Sequence, residues 1–246
     1  MSEYIKLFSG KTLPLQGGGQ IKVSYLDSYF GKAAFDAYGE IVISEYKNNL
    51  VLGGLRFENG LVKGGGPFVT CLMDRVLSSS GFRVATLTDL EEILRHKTLD
   101  LVGNYVYPAL VLRSSEQTTV YNQFTAQRLH RQINERFSGF QLPAMISLTS
   151  LVLENGPTLE GLTFSLKDNA QIIQAPQLAY EHDGKKFIDS DKNGLPIFNE
   201  DGKRVFSCID GGISVLCLDK DLDLDSEGGS FRGSSDNGRI IVVRED

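Results

Sequence analysis

The run Asp189–Glu200, DSDKNGLPIFNE, carries side-chain oxygens at its first, third, fifth and twelfth positions and a glycine at its sixth. This is the D-x-[DN]-x-[DN]-G-x5-E spacing of a calcium loop. Asp189, Asp191 and Asn193 would converge on a hard cation, Gly194 would permit the sharp turn, and Glu200 would close the shell with both carboxylate oxygens. Calcium is the cofactor that this pattern suggests. The flanks Phe187-Ile188 and Ile197-Phe198 read as strands rather than the helices of an EF-hand, and Pro196 has no N–H to give at the eighth position. The same Asp, Asn and Gly content also makes an ordinary hairpin turn.

Gly64-Gly65-Gly66-Pro67 joins an expected strand to an expected helix, where backbone N–H groups of Gly64, Gly65 and Gly66 would cradle a small anion at the helix N-terminus. Three glycines before a helix also make a simple connection, and neither phosphate-loop spacing nor a dinucleotide fingerprint is present. In Leu218–Asp225, Asp219, Asp221, Asp223 and Asp225 share one face of an extended chain, with Leu218, Leu222 and Leu224 on the other. Such a face attracts a cation or a basic partner, or stands solvated and resists edge aggregation. Arg128, His130, Arg131 and Arg136 give one helix a basic side. His96, His130 and His182 lie far apart without zinc spacing, and the chain has no Gly-x-Ser-x-Gly elbow. No residue is assigned a catalytic role.

These residues must be positioned by an α+β fold: a mixed or antiparallel sheet packed by about three helices, followed by a C-terminal β-meander rich in Asp-Gly and Asn-Gly turns. The most marked amphipathic helix lies in Thr118–Phe137, where Ala126, Leu129, Ile133 and Phe137 share a face opposite Gln127, Arg131 and Asn134. Ser114, Ser115, Thr118 and Thr119 are candidate caps, and Gly139 and Pro143 stop the helix. Ala144–Leu153 follows with strand alternation. Upstream, Gly17–Gly19 turns a hairpin over residues 11–25, a helix from Asp27 closes at Gly39 before a strand over Glu40–Tyr46, and Asn59-Gly60 turns a second hairpin. Pro67 opens a helix that stops by Gly81. Phe82–Ala85 reads as a strand, and Thr88–Glu91 as a capping box. Tyr105–Arg113 is extended, with Pro108 confined to an edge, a strand start or a bulge. Gly161–Leu166 and Gln171–Gln174 read as a further hairpin. Asp183-Gly184, Asn193-Gly194, Asp201-Gly202 and Asp210-Gly211 then space consecutive short hairpins, with a mobile loop over Glu227–Asn237.

With 246 residues, the chain is long enough to bury a core without staples. The expected organisation is an α+β body over residues 1–175 and an acidic β-rich region over 176–246, packed on that body or forming a small second lobe. The latter holds nine Lys or Arg against fifteen Asp or Glu, while the former is balanced. That imbalance disfavours nonspecific nucleic-acid binding. Three unpatterned cysteines, no signal-like N-terminal run and no apolar stretch of bilayer length point to a soluble cytoplasmic protein. The expected function is non-enzymatic binding or interaction with a protein partner through an acidic C-terminal surface. The alternative is an enzyme or sensor for a small anionic ligand at Gly64–Phe68.

Overall fold

The computed structural model describes residues 7–15, 18–116, 121–226, 228–232 and 236–245. The fold is α+β, with four helices among the described residues: α1 (Ser28–Tyr46), α2 (Pro67–Ser78), α3 (Leu87–His96) and α4 (Gln123–Arg136). No helix there is long and apolar enough to cross a membrane.

One sheet has the order β1-β2-β16-β5, built from Lys11–Pro14, Gln20–Tyr25, Ile241–Glu245 and Phe82–Val84. The larger sheet runs β10-β7-β6-β14-β15-β13-β11-β12. Its strands are β6 (Val106–Leu112), β7 (Ala144–Ser147), β10 (Ile172–Gln174), β11 (Lys185–Ser190), β12 (Pro196–Phe198), β13 (Arg204–Cys208), β14 (Ile213–Leu218) and β15 (Leu224–Ser226). Two hairpin ribbons complete the fold, β3 with β4 (Arg56–Glu58, Leu61–Lys63) and β8 with β9 (Leu151–Asn155, Leu162–Leu166). Thus β14, late in sequence, is hydrogen-bonded between β6 and β15, and β16 between β2 and β5.

Strand alternation decides how the core divides. Leu110 and Leu112 of β6 enter the largest cluster with α1, α2 and α4, whereas Ala109 and Val111 enter a second with Phe187 and Phe206. β6 is therefore buried on both faces. Pro108 within it sits at the irregularity where the pairing with β14 shifts between Leu216 and Leu218, one of the places expected for a residue with no N–H. Likewise, Val242 of β16 faces the largest cluster, while Ile241 and Val243 face a third with Leu90 and Ile93.

Several expected elements form as read. β1 and β2 pair antiparallel, Asn59 and Gly60 take positive φ (53° and 77°) between β3 and β4, and Pro67 is the first residue of α2. In α4, Ala126, Leu129 and Ile133 are buried and Gln127, Arg131 and Asn134 exposed. Its start differs: Asn122 is the N-cap, Ser114 instead bonds Glu116 and Gly212, and Thr118 and Thr119 lie outside the described residues. Gln16, Gly17, Glu227 and residues 233–235 also lie outside them, and with them part of the expected loop 227–237, in which Phe231 is buried against Phe68 and Phe164.

Other expectations are corrected. Glu40–Tyr46 is helix, because Phe30, Ala34, Tyr38, Val42 and Tyr46 recur every four residues and bury one stripe of α1. That packing overrides the strand preference of Ile41, Val42 and Ile43. Ala144–Leu153 is two strands in different sheets, parted at Leu148–Ser150 where the Ser147 hydroxyl accepts the Thr149 N–H and starts a tight turn. β9 and β10 do not pair with each other, since Ser150 Oγ takes the backbone of Gln171 and leads β10 to β7. In the C-terminal region β11 and β12 form a hairpin around Asn193-Gly194. β13 then pairs with β11 and, in parallel, with β15, so the strands are not a chain of consecutive hairpins.

Gly39 lies inside α1, and a Cβ there would meet nothing within 4 Å. Gly39→Ala is expected to stabilise the protein by about 0.5–1 kcal/mol in urea unfolding. A Gly39 that ended the helix in the left-handed region would make the same change destabilising.

Candidate functional site

The N-cap of α3 is Thr86, whose hydroxyl accepts the Asp89 N–H while the Asp89 carboxylate accepts the Thr86 N–H. The capping box therefore begins two residues before Thr88, because both Thr86-x-x-Asp89 and Thr88-x-x-Glu91 fit the pattern and Glu91 is engaged elsewhere. α3 shows apolar groups to two clusters: Leu87 joins Phe187 and Phe206, while Leu90 and Ile93 join β2 and β16 residues.

Three carboxylates on this helix, Asp89, Glu91 and Glu92, are no more than 5% exposed, and each meets an arginine. Arg83 of β5 binds Asp89 and reaches Glu245 of β16 at 3.1 Å. Arg204 of β13 forks onto Glu91, with Nη1 and Nη2 at 2.7 and 2.9 Å from its oxygens, gives Nε to the Leu222 carbonyl and lies 4.4 Å over the Phe187 ring. Arg95 bonds Glu92 within α3 and Asp189 of β11 at 2.8 Å. The Arg95 guanidinium, with the Ser190 N–H, holds the Asp189 carboxyl below the usual range.

Beside these pairs lies a cleft of about 680 Å³. Its apolar lining comes from Leu94, Leu99, Leu101, Val102, Ile188 and Leu222, and its polar lining includes Arg95, Lys97, Asp100 and the Arg204–Glu91 pair. Between Phe187 and Asp189 the pairing of β11 with β12 shifts, so Ile188 is the extra residue of a bulge. Phe187 is 1% exposed and Ile188 59%, as alternation requires, and the bulge re-aims the next residue, so that Asp189 is also exposed and reaches Arg95. Val102, also in the lining, is 61% exposed. In the lining Glu91 is committed to Arg204 and Asp189 to Arg95.

The four calcium-loop residues have separate surroundings in this structure. Asp189 turns to Arg95, Asp191 Oδ1 accepts the N–H groups of Asn193 and Leu195, and Glu200 is exposed beyond β12. Among the described residues no group of three or more His, Cys, Asp or Glu is arranged to hold a metal ion. Gly194 (φ 79°) packs so closely on α3 that a Cβ would lie 3.0 Å from the Thr88 nitrogen. The hairpin thus lies along α3, fixed at Gly194 near one end and Asp189 at the other.

Gly64, Gly65 and Gly66 are buried: the Gly64 N–H bonds the Gly238 carbonyl and Gly65 abuts the Arg239 backbone. Pro67 lines a hollow of about 220 Å³ with Tyr107, Cys217 and Asp225, so the charged group there is a carboxylate. Asp219 and Asp221 stand in a turn, not on a strand. Asp219 Oδ1 accepts the Asp221 and Asp223 N–H groups, and Leu222 takes φ 70°. On α4, Arg128 pairs with Glu154 and Arg136 bonds the Lys167 carbonyl, so part of the basic side is spent within the chain. Burial raises all three thiols, Cys71 to about 12, which keeps them protonated at neutral pH.

The cleft was not visible in the sequence. The signal that existed was Glu91-Glu92 on the apolar side of a short helix, where unpaired carboxylates cannot stay. The cap assignment is directly testable: Thr86→Ala should cost about 1 kcal/mol of stability and Thr88→Ala only a few tenths, measured by urea unfolding. The reverse order would restore the Thr88 box.

Comparison with protein-family models, with curated proteins and with solved structures finds no match for this chain.

Proposed function

We propose that this protein binds a partner polypeptide without transforming it, and that the cleft beside α3 seats an apolar segment of that partner. The observation that carries this reading is Ile188, which β11 presents on the face opposite the buried Phe187, 59% exposed in an open cleft that Val102 also lines. Two β-branched apolar side chains lining one open cleft offer apolar surface that an apolar segment of a partner would cover. Beneath them the Arg204–Glu91 fork and the Arg95–Asp189 bridge satisfy their own charges, so the seat favours apolar contact bordered by polar groups. Its volume lies in the range of specific binding sites, and its walls come from a helix, a strand and the Leu99–Val102 connection.

Titration of the isotope-labelled protein with end-blocked peptides rich in Leu, Val or Phe, followed by amide chemical shifts, tests the assignment. Shifts are expected at Leu94, Val102, Ile188 and Leu222. Ile188→Asp should weaken binding by roughly tenfold, or ~1.4 kcal/mol, while leaving the unfolding midpoint unchanged. Shifts confined to Gly64–Phe68, or equal binding by Ile188→Asp, would overturn it.

A further inference from the structure

A second hollow, of about 350 Å³, lies between α2 and β8: Cys71, Leu72, Arg75 and Ser78 form one stripe of that helix, facing Leu151–Leu153 of β8 and Lys167. Its origin is topological. β8 pairs with β9 alone, so its other edge has no strand partner. Side chains close that edge instead, with Tyr46 Oη donating to the Leu153 carbonyl at 2.8 Å and Cys71 Sγ to the Leu151 carbonyl at 3.5 Å. A helix capping a strand edge through side chains leaves a gap that another strand would have filled.

The gap has a polarity. Leu72, Leu151, Val152 and Leu153 make it apolar, and both charged residues in its lining are cations. Lys167 spends two of its three N–H groups, on Asp74 Oδ2 at 3.1 Å and the Thr149 carbonyl at 2.6 Å. Arg75 gives two of its five to Glu45 in a pair that is about half exposed. Neither acid belongs to the lining: Asp74 is buried and Glu45 stands outside. Each cation is thus already paired with one carboxylate, and an entering anion meets their remaining N–H donors, while an apolar tail behind its head group meets leucine and valine.

We propose that this hollow is a binding site for a small aliphatic carboxylate, its head group between Arg75 and Lys167 and its chain along β8. It is independent of the cleft beside α3.

The probe is octanoate, with 1-octanol as the uncharged analogue of equal chain length, followed by amide chemical shifts of the full chain. Octanoate should shift Cys71, Ser78 and Val152 saturably and bind roughly tenfold more tightly than octanol, as a charge-assisted contact requires. Two surface variants probe the cation without touching the core. Arg75→Gln should weaken octanoate about fivefold, and Glu45→Gln, which releases Arg75, should tighten it by a similar factor. Equal affinity for acid and alcohol would overturn the proposal, as would shifts elsewhere or indifference to both substitutions. Unchanged unfolding midpoints for the two variants, expected for an exposed pair, keep a loss of binding from being a loss of fold.

Discussion

Three buried carboxylates on one ten-residue helix must each find a cation, and that requirement organises the centre of this molecule. Asp89, Glu91 and Glu92 are desolvated by the apolar residues beside them, and an unpaired carboxylate there costs several kcal/mol. Arg83, Arg204 and Arg95 answer that need, and through them α3 is bound to β5, to β13 and to β11. The helix thereby joins the four-stranded sheet to the eight-stranded one. Its apolar residues repeat the division, Leu87 in one cluster and Leu90 and Ile93 in another. Hydrophobic burial supplies the drive, and the ion pairs fix which strands lie against which side.

The same constraint makes the cleft. With Arg204 drawn to Glu91 and Asp189 to Arg95, β11 is held along α3 but not closed upon it, and the exposed Ile188 side chain lines the space between. Gly194 gives the hairpin its close approach at the start of the helix, where a larger residue would strike the backbone of Leu87 and Thr88. In this structure Asp191 and Gly194 of the Asp189–Glu200 run form a turn, and Asp189 ties β11 to α3.

What the sequence made legible was periodic or local. The α4 face, the Asn59-Gly60 turn, Pro67 at a helix start and the proline at a bulge each follow from a short-range rule acting on a few neighbouring residues. What it hid was long-range. Gly39 reads locally as a helix stop and the β-branched Ile41–Ile43 favour a strand, and the buried stripe from Phe30 to Tyr46 outweighs them only once α2 is present. The Ser147 hydroxyl splits one apparent strand into two. The Asp189–Glu200 pattern is satisfied at every position, yet Arg95, 94 residues earlier than Asp189, claims its first ligand. Spacing within a run cannot report a competitor that arrives from another element, so the cleft, assembled from α3, Leu99–Val102, β11, β13 and Leu222, left almost no local trace.

The most direct measurement is a double-mutant cycle on Glu91 and Arg204 by urea unfolding. If the fork locks α3 to β13, Glu91→Leu and Arg204→Met should each lose roughly 3–5 kcal/mol by stranding the other charge, while the double variant recovers most of that loss. Single substitutions that each cost under about 1 kcal/mol and simply add, as for an exposed pair, would contradict it.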